Sequence, residues 1–274
     1  MSLRFYGMEG RIRIAAALAI SMAGLSAVAV LALTAASHRS SNAVSRQTRC
    51  QVSDSAMETS ELDGGRNNLQ ANEYNSSAPL TICSNGMPQF EVTRSGINIV
   101  ANGTPGAYPS LYRGCHWGTC TSDSGLPIEV ATLEREGTVT TSYVTQTVSG
   151  GAWDDAYDIF YNASPTGTQA SGSGIEMMIW LTHSGAVKPA GSIVASNVTI
   201  GGEVYDVWWD GYTVTYVRVK PATSVSRLDL GPLAADSVTR GYMPASWCLI
   251  DVEAGFEIWQ GGTGLKASSF SVSP

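Results

Sequence analysis

Beyond residue 43 this chain has no long apolar segment. Its hydrophobic residues come in short alternating runs, each closed within a few residues by Gly, Asn, Ser or Pro. Period-two alternation is the mark of strands half-buried in a sheet, and the punctuation marks turns. The runs "PIEVATL", "TVTTSYVTQTV", "DAYDIFYN", "IEMMIWL", "EVYDVWW", "YTVTYVRVK", "SWCLIDVEAGFEIW" and "SSFSVS" predict an all-β chain. "QFEVTRSGINIVANG" predicts two short strands around Ser95-Gly96, and residues 44–85 read as polar and irregular. Only residues 231–244 read as helical, stopped by Gly241 and Pro244. With no linker or repeat in sight, residues 44–274 are expected to form one sandwich or jelly roll of two packed antiparallel sheets with one short helix.

The N-terminus bears on compartment. Arg4, Arg11 and Arg13 precede an uncharged, Ala/Leu/Ile/Val-rich run from Ile14 to Ala36, followed by "SHRSSNA". This is the layout of a secretory signal cleaved after Ala43 or nearer Ala36. The run is also long enough to span a bilayer, so an uncleaved anchor is the alternative. Either reading sets residues 1–43 apart from the fold and places the remainder outside the cytoplasm. All five cysteines, Cys50, Cys83, Cys115, Cys120 and Cys248, lie in that remainder. In an oxidising compartment they predict disulfides with one thiol left over. "CHWGTC" lacks the second Cys or His pair that a zinc site needs, so no metal is expected. A net charge of −7 argues against nucleic acid as a partner.

The feature that points to chemistry is a carboxylate inside an apolar run. In "IEMMIWL", alternation places Met177, Ile179 and Leu181 on one face and Glu176, Met178 and Trp180 on the other. The first set is a core stripe; the second suits the wall of a cleft. "DVEAGFEIWQGG" repeats the arrangement, with Val252, Ala254, Phe256 and Ile258 facing the core. Asp251, Glu253, Gly255, Glu257 and Trp259 line the opposite face. A lone strand Glu is ordinarily a solvated residue. Two of them, each near a Trp in an exported chain, match what glycoside hydrolysis requires: one proton donor and one nucleophile or base. Glu253, close to Glu257 on the same face, is expected to raise its pKa. A Ser/His/Asp triad would have to use His116 or His183 and lacks a G-x-S-x-G elbow. "GGTG" at 261–264 reads as a turn rather than a phosphate loop.

At these residues the sequence resembles glycoside hydrolase family 12, secreted β-1,4-glucanases with a concanavalin-like β-jelly roll. The resemblance covers roughly residues 48–272, and "EMMIW" and "AGFEIWQGGTGL" are its most specific pieces. "YPSLYRGCHWGTC", "AYDIF", "VKPAGS" and "NEYNSSAP" follow the family's order. The resemblance implies Glu176 as nucleophile, Glu257 as acid/base and Asp158 as the aspartate that hydrogen-bonds the nucleophile. It implies substrate contacts from Asn72, Tyr74, His116, Trp117, Met178 and Pro189, with Trp180, Trp208 and Trp259 as aromatic platforms; Trp208 could equally be core. It also implies bridges Cys50–Cys83 and Cys115–Cys120, leaving Cys248 as a buried thiol. Tyr74 stands where relatives usually carry Trp, Phe160 replaces a Trp, Ile258 a Pro and Cys248 an aromatic.

The expectation is therefore a secreted, monomeric endo-β-1,4-glucanase that acts on β-glucan polysaccharide with retention and needs no cofactor. The alternatives are a xyloglucan-specific endoglucanase, a related jelly-roll xylanase, and a non-catalytic glucan-binding jelly roll.

Overall fold

The computed structural model describes residues 49–52, 59–166 and 173–274. The predicted signal or anchor, residues 1–43, lies outside the described residues. Among the described residues, the strands form a six-stranded and a twelve-stranded sheet. The smaller runs Arg49–Val52, Leu80–Ser84, Phe90–Ser95, Lys266–Ser273, Thr140–Gln146, Ser224–Asp229. The larger runs Ser192–Ile200, Glu203–Trp209, Thr213–Arg218, Gly174–Ser184, Ala152–Asn162, Cys248–Gly255, Ser110–His116, Asn67–Gln70, Thr59–Leu62, with short strands attached.

The two sheets bury one core between them, composed as alternation requires. Met177, Ile179 and Leu181 are buried in it, as are Val252, Ala254, Phe256 and Ile258. Phe256 meets Phe90 of the smaller sheet edge to face at 5.9 Å, and Tyr157 meets Tyr143 at 5.5 Å. Each such aromatic pair adds about 1 kcal/mol beyond the burial of its area. One carboxyl breaks the apolar rule. Asp155 points into this interface and accepts a 2.5 Å hydrogen bond from Thr145 of the smaller sheet, and burial pushes it up to about 8.

Four local expectations change. Residues 44–85 contain the strands Thr59–Leu62, Asn67–Gln70 and Leu80–Ser84. They read as irregular because Asn67, Asn68 and Gln70 are polar yet buried: Gln70 serves a buried carboxylate rather than the core. Residues 97–101 form no strand, although Asn98 makes an isolated bridge to Gln260. Within "PIEVATL" a two-residue strand gives way to the helical turn Val130–Leu133. Strands Gly174–Ser184 and Thr213–Arg218 pair in parallel, because the chain between them goes to the sheet's edge, forms its outer two strands and returns. Direction of pairing leaves no trace in an alternating sequence.

The helix forms as Gly231–Thr239, with Pro232 in its first turn. Its mid-run Asp236 accepts bonds from Arg240 at 2.6 Å and from the Tyr216 hydroxyl at 2.9 Å, tying the helix to the larger sheet. Among the described residues no helix is long and apolar enough to cross a membrane. Disulfides join Cys50 to Cys83 and Cys115 to Cys120, and Cys248 is a free, half-buried thiol.

Candidate active site

The outer face of the larger sheet carries a cleft of about 1000 Å³. Strand Ala152–Asn162 runs through its centre, pairing with Gly174–Ser184 on one side and Cys248–Gly255 on the other. Register decides which side chains meet. Asp158 lies opposite Met178 and Glu253, and Phe160 opposite Glu176 and Asp251. Glu176 and Glu257 both line the cleft, with Asp158, Asn72, Tyr74, His116, Trp117, Met178, Trp180, Pro189 and Trp259. Trp208 is the exception: it is half-buried and does not line the cavity. Its strand is separated from that of Glu176 by Thr213–Arg218, a spacing that residue number does not reveal.

The floor is apolar. Ala152, Ala156, Met178, Trp180, Val187 and Trp259 cluster there, apart from the main core. The indole of Trp259 is fixed by a 2.6 Å bond to the Gly103 carbonyl. Lys188, Pro189, Ala190 and Gly191 close one side. Gly191 has φ +77°, and a Cβ there would stand 2.2 Å from the Trp209 carbonyl oxygen, so only glycine lets this loop rejoin the sheet. At the rim, Tyr74 and Trp117 are about half exposed. Asn72 and Trp117 hold left-handed backbone angles, φ 43° and 46°, uncommon for residues with a Cβ.

The carboxylates are differentiated by their neighbours. Glu176 accepts a 2.8 Å bond from the Thr213 hydroxyl. Burial raises its pKa to about 7, opposed by that bond and by the charge of His116. Burial pushes Asp158 well above the usual carboxylate range, reinforced by Glu176 and then Glu257. Burial also raises Glu257 strongly, and the next contributor is the charge of Asp154. That influence comes from Asp154 and not, as the strand pattern predicts, from Glu253. In the structure the Glu253 carboxylate is engaged elsewhere, by Gln70 at 3.0 Å, by Ser110 at 3.1 Å and by His116.

His116 is more than a rim residue. Its Nδ1 contacts Glu253 and lies 3.3 Å from Asp251, all three side chains being buried. Burial opposes the imidazolium, but Glu253 and Asp251 together lift its pKa to about 10. The ring is therefore a buried cation between two acids, close enough to favour the ionised form of Glu176. These three groups lie close enough together to hold a metal ion. The direct pairing of Nδ1 with both carboxylates accounts for their positions without one.

Sequence reasoning missed Thr213, Tyr108, Tyr212 and Phe160 in the wall and Asp154 behind it. Thr213 was beyond reach because the parallel pairing brings it to Glu176. Asp154 alone carried a signal: it is two pleat steps from Asp158 and so shares its face.

Residues 65–273 match the model of glycosyl hydrolase family 12. A probable cellulase, Cel12b, of Mycobacterium tuberculosis is 34% identical over 154 residues, 54% of this chain and 96% of that protein. The crystal structure of a metagenome-derived family 12 endoglucanase superimposes with a TM-score of 0.76 at 36% identity, covering 83% of this chain and 97% of that one. Endoglucanase cel12A from Rhodothermus marinus gives 0.74 at 37% identity, over 83% and 98%. The chain belongs to glycosyl hydrolase family 12.

Proposed function

We propose that this protein is an endo-β-1,4-glucanase that hydrolyses internal bonds of cellulose-type and mixed-linkage β-glucans with retention of configuration. The observation that carries the reading is one cleft bearing two half-buried, differently tuned glutamates over an apolar aromatic floor. A non-catalytic glucan binder needs the floor but not both acids.

Glu176 is the nucleophile. The Thr213 bond and the nearby imidazolium of His116 favour its carboxylate. Glu257 is the acid/base, and burial among acids keeps its proton in place. In the first step Glu257 protonates the departing glycosidic oxygen while Glu176 attacks the anomeric carbon. In the second, Glu257 takes a proton from water as that water displaces Glu176. Asp158, kept protonated by burial, supports the nucleophile from the neighbouring strand. Trp180, Trp259 and Tyr74 offer flat faces to the apolar sides of glucosyl rings, with Met178 beside them; Asn72, Trp117 and Pro189 contact the chain from the rim, and His116 from the cleft wall.

Two disulfides and the apolar N-terminal run support export, with residues 44–274 as the catalytic domain.

The test is to incubate the purified protein with mixed-linkage β-glucan and follow fresh product by NMR. β product supports the reading and α product overturns the double displacement. Turnover confined to xyloglucan would replace the substrate assignment. Glu176→Gln and Glu257→Gln, each folded, should lose nearly all β-glucan turnover; full activity in either removes that residue from its role.

A further inference from the structure

Between strands Cys248–Gly255 and Ile258–Gln260 the ladder is interrupted at Phe256 and Glu257. The interruption is bridged by one residue. The Asp154 N–H donates to the Glu257 carbonyl at 3.0 Å, as in a regular antiparallel pair. The return bond is irregular: the Glu257 N–H donates at 3.3 Å to the side-chain Oδ1 of Asp154. Asp154 is completely buried. Its Oδ2 is buried too, and no other protein donor reaches it, which leaves the Glu257 carboxyl as its partner. A buried carboxylate oxygen without a partner is costly, and a proton on Glu257 removes that cost.

We propose that Asp154 is a positioning residue for the acid/base: clamped to the Glu257 backbone through Oδ1, it holds the Glu257 proton through Oδ2 until a glycosidic oxygen takes it. This rests on the assignment of Glu257 made above.

The Glu257 O–H and the C1–O bond to the leaving sugar break, and the leaving oxygen gains the proton as Glu176 bonds to C1. Two unprotonated carboxylates then face each other. That repulsion makes Glu257 a stronger base toward the water that attacks in the second step, and the water's proton restores the pair. Asp154 gains and loses nothing over the cycle.

Other charges around the pair act on it from each packed element. Asp158 and Asp155 share the strand of Asp154. Glu176 faces Glu257 from the next strand. The phenols of Tyr74, Tyr108 and Tyr143 approach from neighbouring loops and from the other sheet. His183, register partner of Asp154, is exposed. No cation among the described residues acts on either acid; burial raises both carboxyls, and after burial Asp154 is the neighbour that does most to raise Glu257.

The test is Asp154→Asn, which retains an oxygen for the Glu257 N–H and removes the charge. The alkaline limb of kcat/KM on β-glucan should move down by about one pH unit, as loss of an adjacent negative charge requires. On that limb, kcat/KM on β-glucan should fall by up to about tenfold. It should fall far less on 2,4-dinitrophenyl β-cellobioside, whose leaving group departs without a proton. An unmoved limb, or equal losses on both substrates, overturns the proposal in favour of a purely structural role. Glu257→Gln separates the failures. If it keeps the alkaline limb, the assignment of Glu257 falls and this inference with it. If it loses the limb while Asp154→Asn keeps it, only the role of Asp154 falls. Should Asp154→Asn not fold, carboxyl-¹³C NMR titration of the wild type replaces it. Glu257 and Asp154 should each show inflections from the other, and independent titration overturns the proposal.

Discussion

Thr213 and Glu176 are register partners across the parallel pair of strands, and the Thr213 hydroxyl donates a 2.8 Å hydrogen bond to Glu176 Oε2. The bond favours the carboxylate over the acid. Thr213→Val keeps the shape and removes the donor. Hydrogen bonds to charged groups are worth about 2 kcal/mol, so Glu176 should become harder to ionise by about 1.5 pH units. The acidic limb of kcat/KM should shift upward by that amount with the alkaline limb in place. A pH-rate profile on β-glucan reads both limbs at once.

Asp155 gives stability a pH dependence of known sign. Burial raises its pKa from 3.8 to about 8. Below about pH 4 it is protonated in both folded and unfolded chains. As pH rises from there to about 8, only the unfolded chain ionises, so stability is lost across that window. Asp155→Asn removes the titration, so its Tm should exceed that of the wild type at pH 8 and change less with pH. The raised carboxyls of Glu176, Glu257 and Asp251 have the same sign and should leave some slope. Thermal melts from pH 4 to 9 provide the measurement.

His116 makes the third case. Its pKa is raised from 6.5 to about 10, so its contribution is full below about 6.5 and lost as pH climbs through 10. His116→Leu leaves Asp251 and Glu253 buried without their cation, a loss of about 3–5 kcal/mol. The loss should be full near pH 6 and shrink as pH climbs through 10, where the wild-type ring gives up its proton. Urea unfolding at pH 6 and pH 10 compares the two.

The disulfides differ in the loop that each closes. Cys50–Cys83 spans 33 residues and Cys115–Cys120 spans 5. Chain entropy puts their stabilisation at about 4 and 2 kcal/mol respectively. The double substitution Cys115→Ser, Cys120→Ser should therefore cost less stability than Cys50→Ser, Cys83→Ser. Only the former should raise KM for β-glucan, because its loop carries His116 and Trp117 to the cleft. Thiol titration of the unreduced protein should count one free cysteine, Cys248.

Alternation along "IEMMIWL" and "DVEAGFEIW" was enough to divide core from cleft, because successive strand side chains take opposite faces wherever a sheet is half-buried. Hence the core stripe of Met177, Ile179 and Leu181 and the opposing set of Glu176, Met178 and Trp180 were readable residue by residue. Charge inside that pattern marked both glutamates. Alternation carries no information about which strand lies beside which, or in what direction. Thr213 reaches Glu176 through a parallel pairing, Asp154 reaches Glu257 at a break in the ladder, and Gln70 reaches Glu253 across 183 residues of chain. Hydrogen bonds and charges act over a few ångströms. The residues that could be acids were therefore written in the chain, whereas the proton that each one holds was decided by its neighbours in the folded sheet.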